Sequence, residues 1–335
     1  MNSFFLLVAG LIALVIGAEA LVRGASKLAG ALGVSSLVIG LTVVAFGTSA
    51  PEMAVSVSSS LSGQGDIALG NVVGSNIFNL LFILGASALV VPLVVDRKLI
   101  RVDIPLMVLA SLIAWIFSNG GTINRIEGSL LFISLLIYTA QCIWLGRRSS
   151  PELQQEYQEA FPTSKADPGN DPHRHSPRLL TISIQIIFVS LGLVLLVLGA
   201  NWLVTGATTI ARHWGISELV IGLTIVAAGT SLPEVATSLV AAFKGERDIA
   251  VGNVVGSNLF NLLGVLGLSA AVAPGGSSVS PEAIYYDIPV MIFTSLIVAI
   301  HFRVTSKIQR WHGLLLVSLY VGYTVFLILR SKELV

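Results

Sequence analysis

Two glutamates stand where an apolar chain has least use for charge. Glu52 follows Gly47-Thr48-Ser49-Ala50-Pro51 and Glu234 follows Gly229-Thr230-Ser231-Leu232-Pro233, each within a long apolar run. Neither run contains a Lys or Arg that could neutralise its carboxylate. A carboxylate at mid-bilayer costs at least ~2.5 kcal/mol and is functional by default. Two of them held together need a bound cation or protons. A second polar group follows in each case. Asn71, Ser75 and Asn79 recur at i, i+4 and i+8, so they share one helix face, and Asn253, Ser257 and Asn261 repeat the pattern. The donors are carboxylate, hydroxyl, amide and carbonyl oxygens, with no thiolate or imidazole among them. Such hard ligands suit Ca2+, which takes about 6–8 oxygens in adaptable geometry, and also Na+, whereas zinc or copper would want Cys or His.

The prolines sharpen this reading. Proline has no N–H, and its ring clashes with the carbonyl four residues back, so each helix must bend or open there. The backbone oxygens of Ala45, Gly47 and Thr48, and of Ala227, Gly229 and Thr230, are expected to lose their helical partners. In hydrocarbon such carbonyls persist only where protein, water or an ion satisfies them. One such motif could equally be a structural kink; two copies, each followed by a glutamate, point to a cation site. The amides have a blander reading as polar glue between helices, strongest for Asn71, Asn76, Asn253 and Asn258. Gly70 with Gly74, and Gly252 with Gly256, form small-xxx-small pairs that permit close helix approach.

These residues belong to one stretch that occurs twice. Residues 38–90 and 220–272 align without gaps at an offset of 182, with about 34 of 53 positions identical. Beyond it, Val102-Asp103-Ile104-Pro105 answers Tyr286-Asp287-Ile288-Pro289, two residues further on. Ten apolar spans are expected, near 3–23, 36–62, 67–91, 102–118, 127–145, 180–204, 218–243, 249–272, 285–302 and 312–330. The expected fold is an all-α polytopic membrane protein of ten transmembrane helices in two five-helix halves, 1–146 and 179–335. Five is odd, so homologous halves in series must be inverted, an arrangement that places a substrate site at the midplane. Between them, residues 147–178 are rich in Pro, Asp, Gln and Ser and read as a surface linker.

Composition agrees. Hydrophobic residues make up 54% of the 335 and charged residues 11%, against roughly 25% charged in a soluble domain. A net charge of +1 gives no reason to expect nucleic acid as a partner. The bilayer is the expected surrounding, and no obligate protein partner is implied. Cys142 is the only cysteine, so no intrachain disulfide can form. The run from Phe4 to Leu21 lacks a basic leader and a cleavage site and reads as a retained helix. With the N-terminus outside, basic residues divide 15 inside to 4 outside, so both termini are expected outside and the linker in the cytoplasm. Asp66, Asp248, Asp103 and Asp287 are expected to cap helices. Glu19 is expected to pair with Arg23, and His173 and His175 belong to the linker. Ser49 has no histidine partner within the membrane, which argues against an intramembrane hydrolase.

The paired Gly-Thr-Ser-x-Pro-Glu and Gly-Ser-Asn-x-x-Asn motifs resemble those of the cation/calcium antiporter superfamily, in particular its prokaryotic sodium/calcium exchanger branch, over nearly the whole chain. The resemblance implies Na+/Ca2+ antiport by alternating access at a shared midplane cluster. Glu52 and Glu234 would be the central ligands, Thr48 and Thr230 would contribute carbonyls, and Ser49 and Ser231 hydroxyls. Ala45 with Ser257, and Ala227 with Ser75, would form flanking Na+ sites, with Asn79 and Asn261 closing the centre. It also implies that the long first and sixth spans slide across the other eight. Some relatives carry Asp where Asn261 stands, which bears on stoichiometry and charge movement. Ca2+ and Na+ would bind as transported substrates, without a resident cofactor, in a multi-pass protein of the inner membrane. A proton- or K+-coupled Ca2+ exchanger would use the same site; a Na+/Mg2+ exchanger or a cation channel are further alternatives.

Overall fold

The computed structural model describes residues 3–148, 176–214 and 227–333. Its helices are α1 (Ser3–Leu32), α2 (Ser36–Thr48) and α3 (Ala50–Leu61), bent by 47°, then α4 (Gly65–Val90), α5 (Leu99–Ser118) and α6 (Arg125–Arg148). They continue as α7 (Ser176–His213), α8 (Ala227–Gly229), α9 (Leu232–Phe243), α10 (Arg247–Val272), α11 (Ala283–Thr305) and α12 (Arg310–Glu333). Among the described residues seven helices are long and apolar enough to cross a membrane, and the bent α2–α3 pair makes an eighth. This is a mostly helical, multi-pass membrane protein. Most of the expected linker, with His173 and His175, and the start of the expected seventh span lie outside the described residues.

The helices overrun their apolar stretches where nothing stops them. α1 continues to Leu32 and ends at Gly33, whose φ of 68° is the left-handed conformation that glycine tolerates. The chain is not purely helical. Leu93–Val94 (β1) pairs antiparallel with Lys307–Ile308 (β4), and Thr122–Ile123 (β2) with Ser277–Ser278 (β3). Chain leaving a helix must place its N–H and C=O groups somewhere, and these two-residue ribbons do so for four connections.

Glycines set the helix contacts. A Cβ on Gly10 would lie 2.7 Å from the Gly199 carbonyl oxygen, one on Gly17 2.9 Å from that of Gly192, and one on Gly206 2.7 Å from that of Ser3. The partners run in opposite order, so α1 and α7 pack antiparallel along a seam of touching backbones. Gly85 meets Gly313 at 2.9 Å and Gly128 meets Gly267 at 2.7 Å in the same sense, joining α4 to α12 and α6 to α10. At Gly252 and Gly256 a Cβ would come within 3.2 Å of Leu37 and 2.8 Å of Ala45, while no described atom lies within 4 Å of one at Gly70 or Gly74. The small-xxx-small pattern therefore makes a tight contact in the second repeat, against α2. The apolar stretch of α10 is wholly buried and that of α4 is 72% buried, against 39% for α1 and 28% for α7. The two repeat helices bearing the amides thus form the interior.

The aspartates are not caps. α4 and α10 start after Gln64 and Glu246, and Asp66 and Asp248 lie inside their first turns, where a carboxylate favours the helix dipole. Asp103 (φ −74°, ψ −41°) and Asp287 (φ −72°, ψ −45°) lie within continuous right-handed helix. A wider π-helical turn precedes each proline, so the helix runs past the expected start. Asp103 is buried and accepts a 3.0 Å hydrogen bond from the Tyr138 hydroxyl. Glu19 does pair with Arg23, and also with Lys244 at 2.6 Å.

Candidate cation-binding site

Each bend is built the same way. Ser49 leaves the helix with φ −83° and ψ 7°, and Ser231 with φ −89° and ψ 7°. Pro51 and Pro233 then occupy the first turns of α3 and α9, where a missing N–H removes nothing the helix uses. Glu52 and Glu234 follow in those turns, at the positive ends of helix dipoles. One expectation changes here. The Ala45 carbonyl keeps a helical partner, the Ser49 N–H at 3.0 Å, with the Thr48 hydroxyl at 3.4 Å. Pro51 can delete only the bond to Gly47, four residues earlier, so Ala45 retains its bond and has only residual acceptor capacity.

The two halves cross at these bends. The Ser49 hydroxyl donates to Glu234 Oε1 at 3.0 Å, and the Ser231 hydroxyl to Glu52 Oε1 at 2.9 Å. Ser231 also meets the Ser75 hydroxyl at 3.1 Å. Thr48 donates to Asn253 Oδ1 at 3.2 Å and lies 3.5 Å from the Ser257 hydroxyl, while Thr230 donates to Asn71 Oδ1 at 3.4 Å. Glu52, Ser49, Thr48 and Ser257 are 0% exposed, and Glu234, Ser231, Ser75, Asn79 and Asn261 no more than 4%. Thr230 is only half-buried. Ala227 begins α8; its side chain lies outside the described residues.

The amides divide into two kinds. Asn71 donates to Ser56 Oγ at 2.9 Å and to the Glu52 carbonyl at 3.3 Å; Asn253 donates to Ser238 Oγ at 2.9 Å and to the Glu234 carbonyl at 3.5 Å. These fasten α4 to α3 and α10 to α9, so they are glue. Asn79 donates to Asn258 Oδ1 at 2.9 Å, and Asn258 to the Asn76 carbonyl at 3.4 Å. Asn79 and Asn261 each sit in a π-helical turn, Asn79–Ile83 and Phe260–Val265, a local widening that recurs at functional sites.

What remains is a set of buried polar atoms without partners, four oxygens and one amide nitrogen. Glu52 Oε2, Glu234 Oε2, Asn79 Oδ1 and both amide atoms of Asn261 make no hydrogen bond. Leaving a buried polar group unsatisfied costs about 1–3 kcal/mol, more for a charge, and a cation drawn to those oxygens removes that cost. Among the described residues no group of three or more His, Cys, Asp or Glu gathers at a point. A cation here would be held by two carboxylates and neutral oxygens, which fits Ca2+ or Na+.

The spacing pattern did not reveal two thioethers. Asn258 donates to Met107 Sδ at 3.5 Å and Asn76 to Met291 Sδ at 3.6 Å, and these help fix both amides. Their shared offset, the 184 residues that also separate Asp103 from Asp287, was the available signal. Ser231→Ala is expected to weaken apparent Ca2+ affinity roughly 10- to 100-fold, since a hydrogen bond to a charged group contributes about 1.5–3 kcal/mol. A Ca2+ titration of the folded variant checks this; an unchanged half-saturation would remove Ser231 from the site.

The chain is similar to known proteins over nearly its whole length. A family model described as "Sodium/calcium exchanger protein" matches residues 2–144 and 184–329. A putative antiporter, CaxA, of Alkalimonas amylolytica is 38% identical over 97% of this chain and 98% of its own. The sodium/calcium exchanger MaX1 of Methanosarcina acetivorans is 34% identical over 97% and 98%. The inner membrane protein YrbG of Escherichia coli is 37% identical over 98% of each chain. Among solved structures, the sodium-calcium exchanger NCX_Mj soaked with zero Na+ and Ca2+ superposes with a TM-score of 0.79 at 31% identity, covering 95% of this chain and 96% of that one.

Proposed function

We propose, from the premise that this chain belongs to the sodium/calcium exchanger family, that it is a cation antiporter exchanging Na+ for Ca2+ by alternating access at the Glu52–Glu234 site. The observation that carries this reading is the reciprocal pair Ser49–Glu234 and Ser231–Glu52, which ties one cation-competent centre to both halves at once. Two carboxylates balance one Ca2+, and Na+ ions using the same oxygens must displace it. Only a loaded, charge-compensated centre crosses the low-dielectric interior readily. Thr48, Thr230, Ala45, Ala227, Ser75, Ser257, Asn79 and Asn261 complete the proposed ligand set, and Ca2+ and Na+ are substrates rather than resident cofactors.

The ten-span inverted architecture belongs to the same proposal. Support comes from the antiparallel α1–α7 seam and from the crossed ribbons, in which the connection after α4 pairs with that after α11, and that after α5 with that after α10. The basic-residue count favours outside termini and a cytoplasmic linker.

The test is uptake of radioactive Ca2+ into proteoliposomes. Na+-loaded vesicles are expected to accumulate Ca2+, and K+-loaded or pH-jumped vesicles to remain near background. Uptake driven only by a proton gradient would transfer the coupling to protons on the same carboxylates. Asn261→Asp is expected to add a third carboxylate to the centre and so to change the Na+ dependence of uptake without stopping it. A superimposable Na+ titration would exclude Asn261 from coupling.

A further inference from the structure

We propose that Arg97, Arg101 and Arg303 bind the phosphate of an anionic membrane lipid, clamped between the start of α5 and the end of α11. The three guanidinium-bearing residues, with Ile100 and Ser306, line one cavity of about 440 Å3, within the size range of small-ligand pockets. The backbone brings them together. Ribbon β1–β4 pairs Leu93 with Ile308 and Val94 with Lys307, and the Val95 N–H donates to the Ser306 carbonyl at 3.1 Å. Ser306 turns the chain out of α11 in the left-handed conformation, with φ 51°.

The cavity is strongly one-signed. Ion pairs among the described residues are those of Glu19 with Arg23 and Lys244, so no described carboxylate is in ion-pair contact with these arginines. The nearest acid in sequence, Asp96, accepts the Lys98 N–H at 2.6 Å and lines a separate cavity with Glu246 and Asp248. Arg303, in the last turn of α11, suits the negative end of that helix. Arg101 does not have this excuse: it lies in the first turn of α5, at the positive end of the dipole. An anion in the cavity offsets both this mismatch and the mutual repulsion of the three charges. Guanidinium forks match phosphate oxygens two at a time.

The surroundings favour a lipid as the source of that phosphate. Val102, Ile300 and Val304 are 50%, 63% and 78% exposed beside the arginines, a surface along which acyl chains can lie. Basic pockets between membrane helices take up such head groups. Free phosphate shares the chemistry but has no use for these apolar residues. The site is separate from the carboxylate centre, so its test is independent of the transport reading.

The experiment is native mass spectrometry of the full-length protein with phosphatidylglycerol, phosphatidylcholine or inorganic phosphate, alongside thermal melting. Wild type is expected to retain phosphatidylglycerol and gain thermal stability from it, and to ignore phosphatidylcholine and inorganic phosphate. Arg97→Gln/Arg101→Gln/Arg303→Gln is expected to bind phosphatidylglycerol on the order of 100-fold more weakly, from about 1 kcal/mol per basic residue. The all-Lys triple variant keeps the charge and is expected to retain much of the binding. Should the Gln triple variant not fold, the single variants Arg101→Gln and Arg303→Gln are each expected to lose binding partially. Equal retention of phosphatidylglycerol by wild type and any folded Gln variant overturns the proposal. Displacement of the lipid by inorganic phosphate overturns the lipid assignment.

Discussion

Glu52→Gln and Glu234→Gln are each expected to abolish Ca2+ uptake while leaving a folded protein. Gln keeps the shape and the hydrogen bond from Ser231 or Ser49, but removes one of the two charges facing a divalent cation. Breaking a buried charge pair costs about 3–5 kcal/mol, roughly two to four orders of magnitude in affinity. Stability moves the other way, or not at all, because a neutral amide avoids the ~2.5 kcal/mol or more of holding a carboxylate in the bilayer. The two readouts therefore separate: melting temperature preserved, transport lost. Persistent Na+-driven Ca2+ uptake in either folded variant would dismantle the shared-centre mechanism. Loss of transport together with loss of folding in both would make these glutamates structural.

Gly17→Leu is expected to be the most damaging substitution outside that centre. Even a Cβ at this position would approach the Gly192 carbonyl oxygen and the Leu196 nitrogen to 2.9 Å, and both are backbone atoms that cannot rotate aside. Helices in lipid adhere through close packing rather than hydrophobic exclusion, so forcing α1 from α7 removes the contact that joins them. Overpacking of this kind costs about 1–3 kcal/mol, which corresponds to a fall in melting temperature of roughly 1–4 °C in a chain of this size. Transport should fall with it if α1 and α7 move as one unit during ion exchange. Ile16→Leu, at a neighbouring position 53% exposed, is the control and should change neither. A Gly17→Leu protein with wild-type melting and uptake would show that the seam yields freely.

Much of this was legible in the linear chain. Glu52 and Glu234 announce themselves because burying a charge is expensive, so an unpaired carboxylate in an apolar run is informative without coordinates. The offset of 182 residues tied every candidate in one half to a counterpart in the other. The prolines fixed where the helices would break, since a missing N–H is a local property. Asn71 and Asn253 were harder, because an amide serves equally as a ligand or as a tie between helices, and only their bonds to Ser56 and Ser238 show them as ties. The aspartates misled for a related reason. Asp103 has the local look of a cap, yet a π-helical turn carries the helix through it and Tyr138, distant in sequence, occupies its oxygen.

Sequence by itself determined which residues are candidates to bear the chemistry, where the chain bends, and that it is a membrane protein built from a duplicated unit. Those properties follow from residue type and spacing. Tertiary structure alone decided that Ser49 braces Glu234 while Ser231 braces Glu52, that the glycines of α1 and α7 interlock, and that three arginines from around the start of α5 and the end of α11 share a cavity. Those are relations between segments far apart in the chain, set by how helices of both halves pack, and no local pattern encodes them.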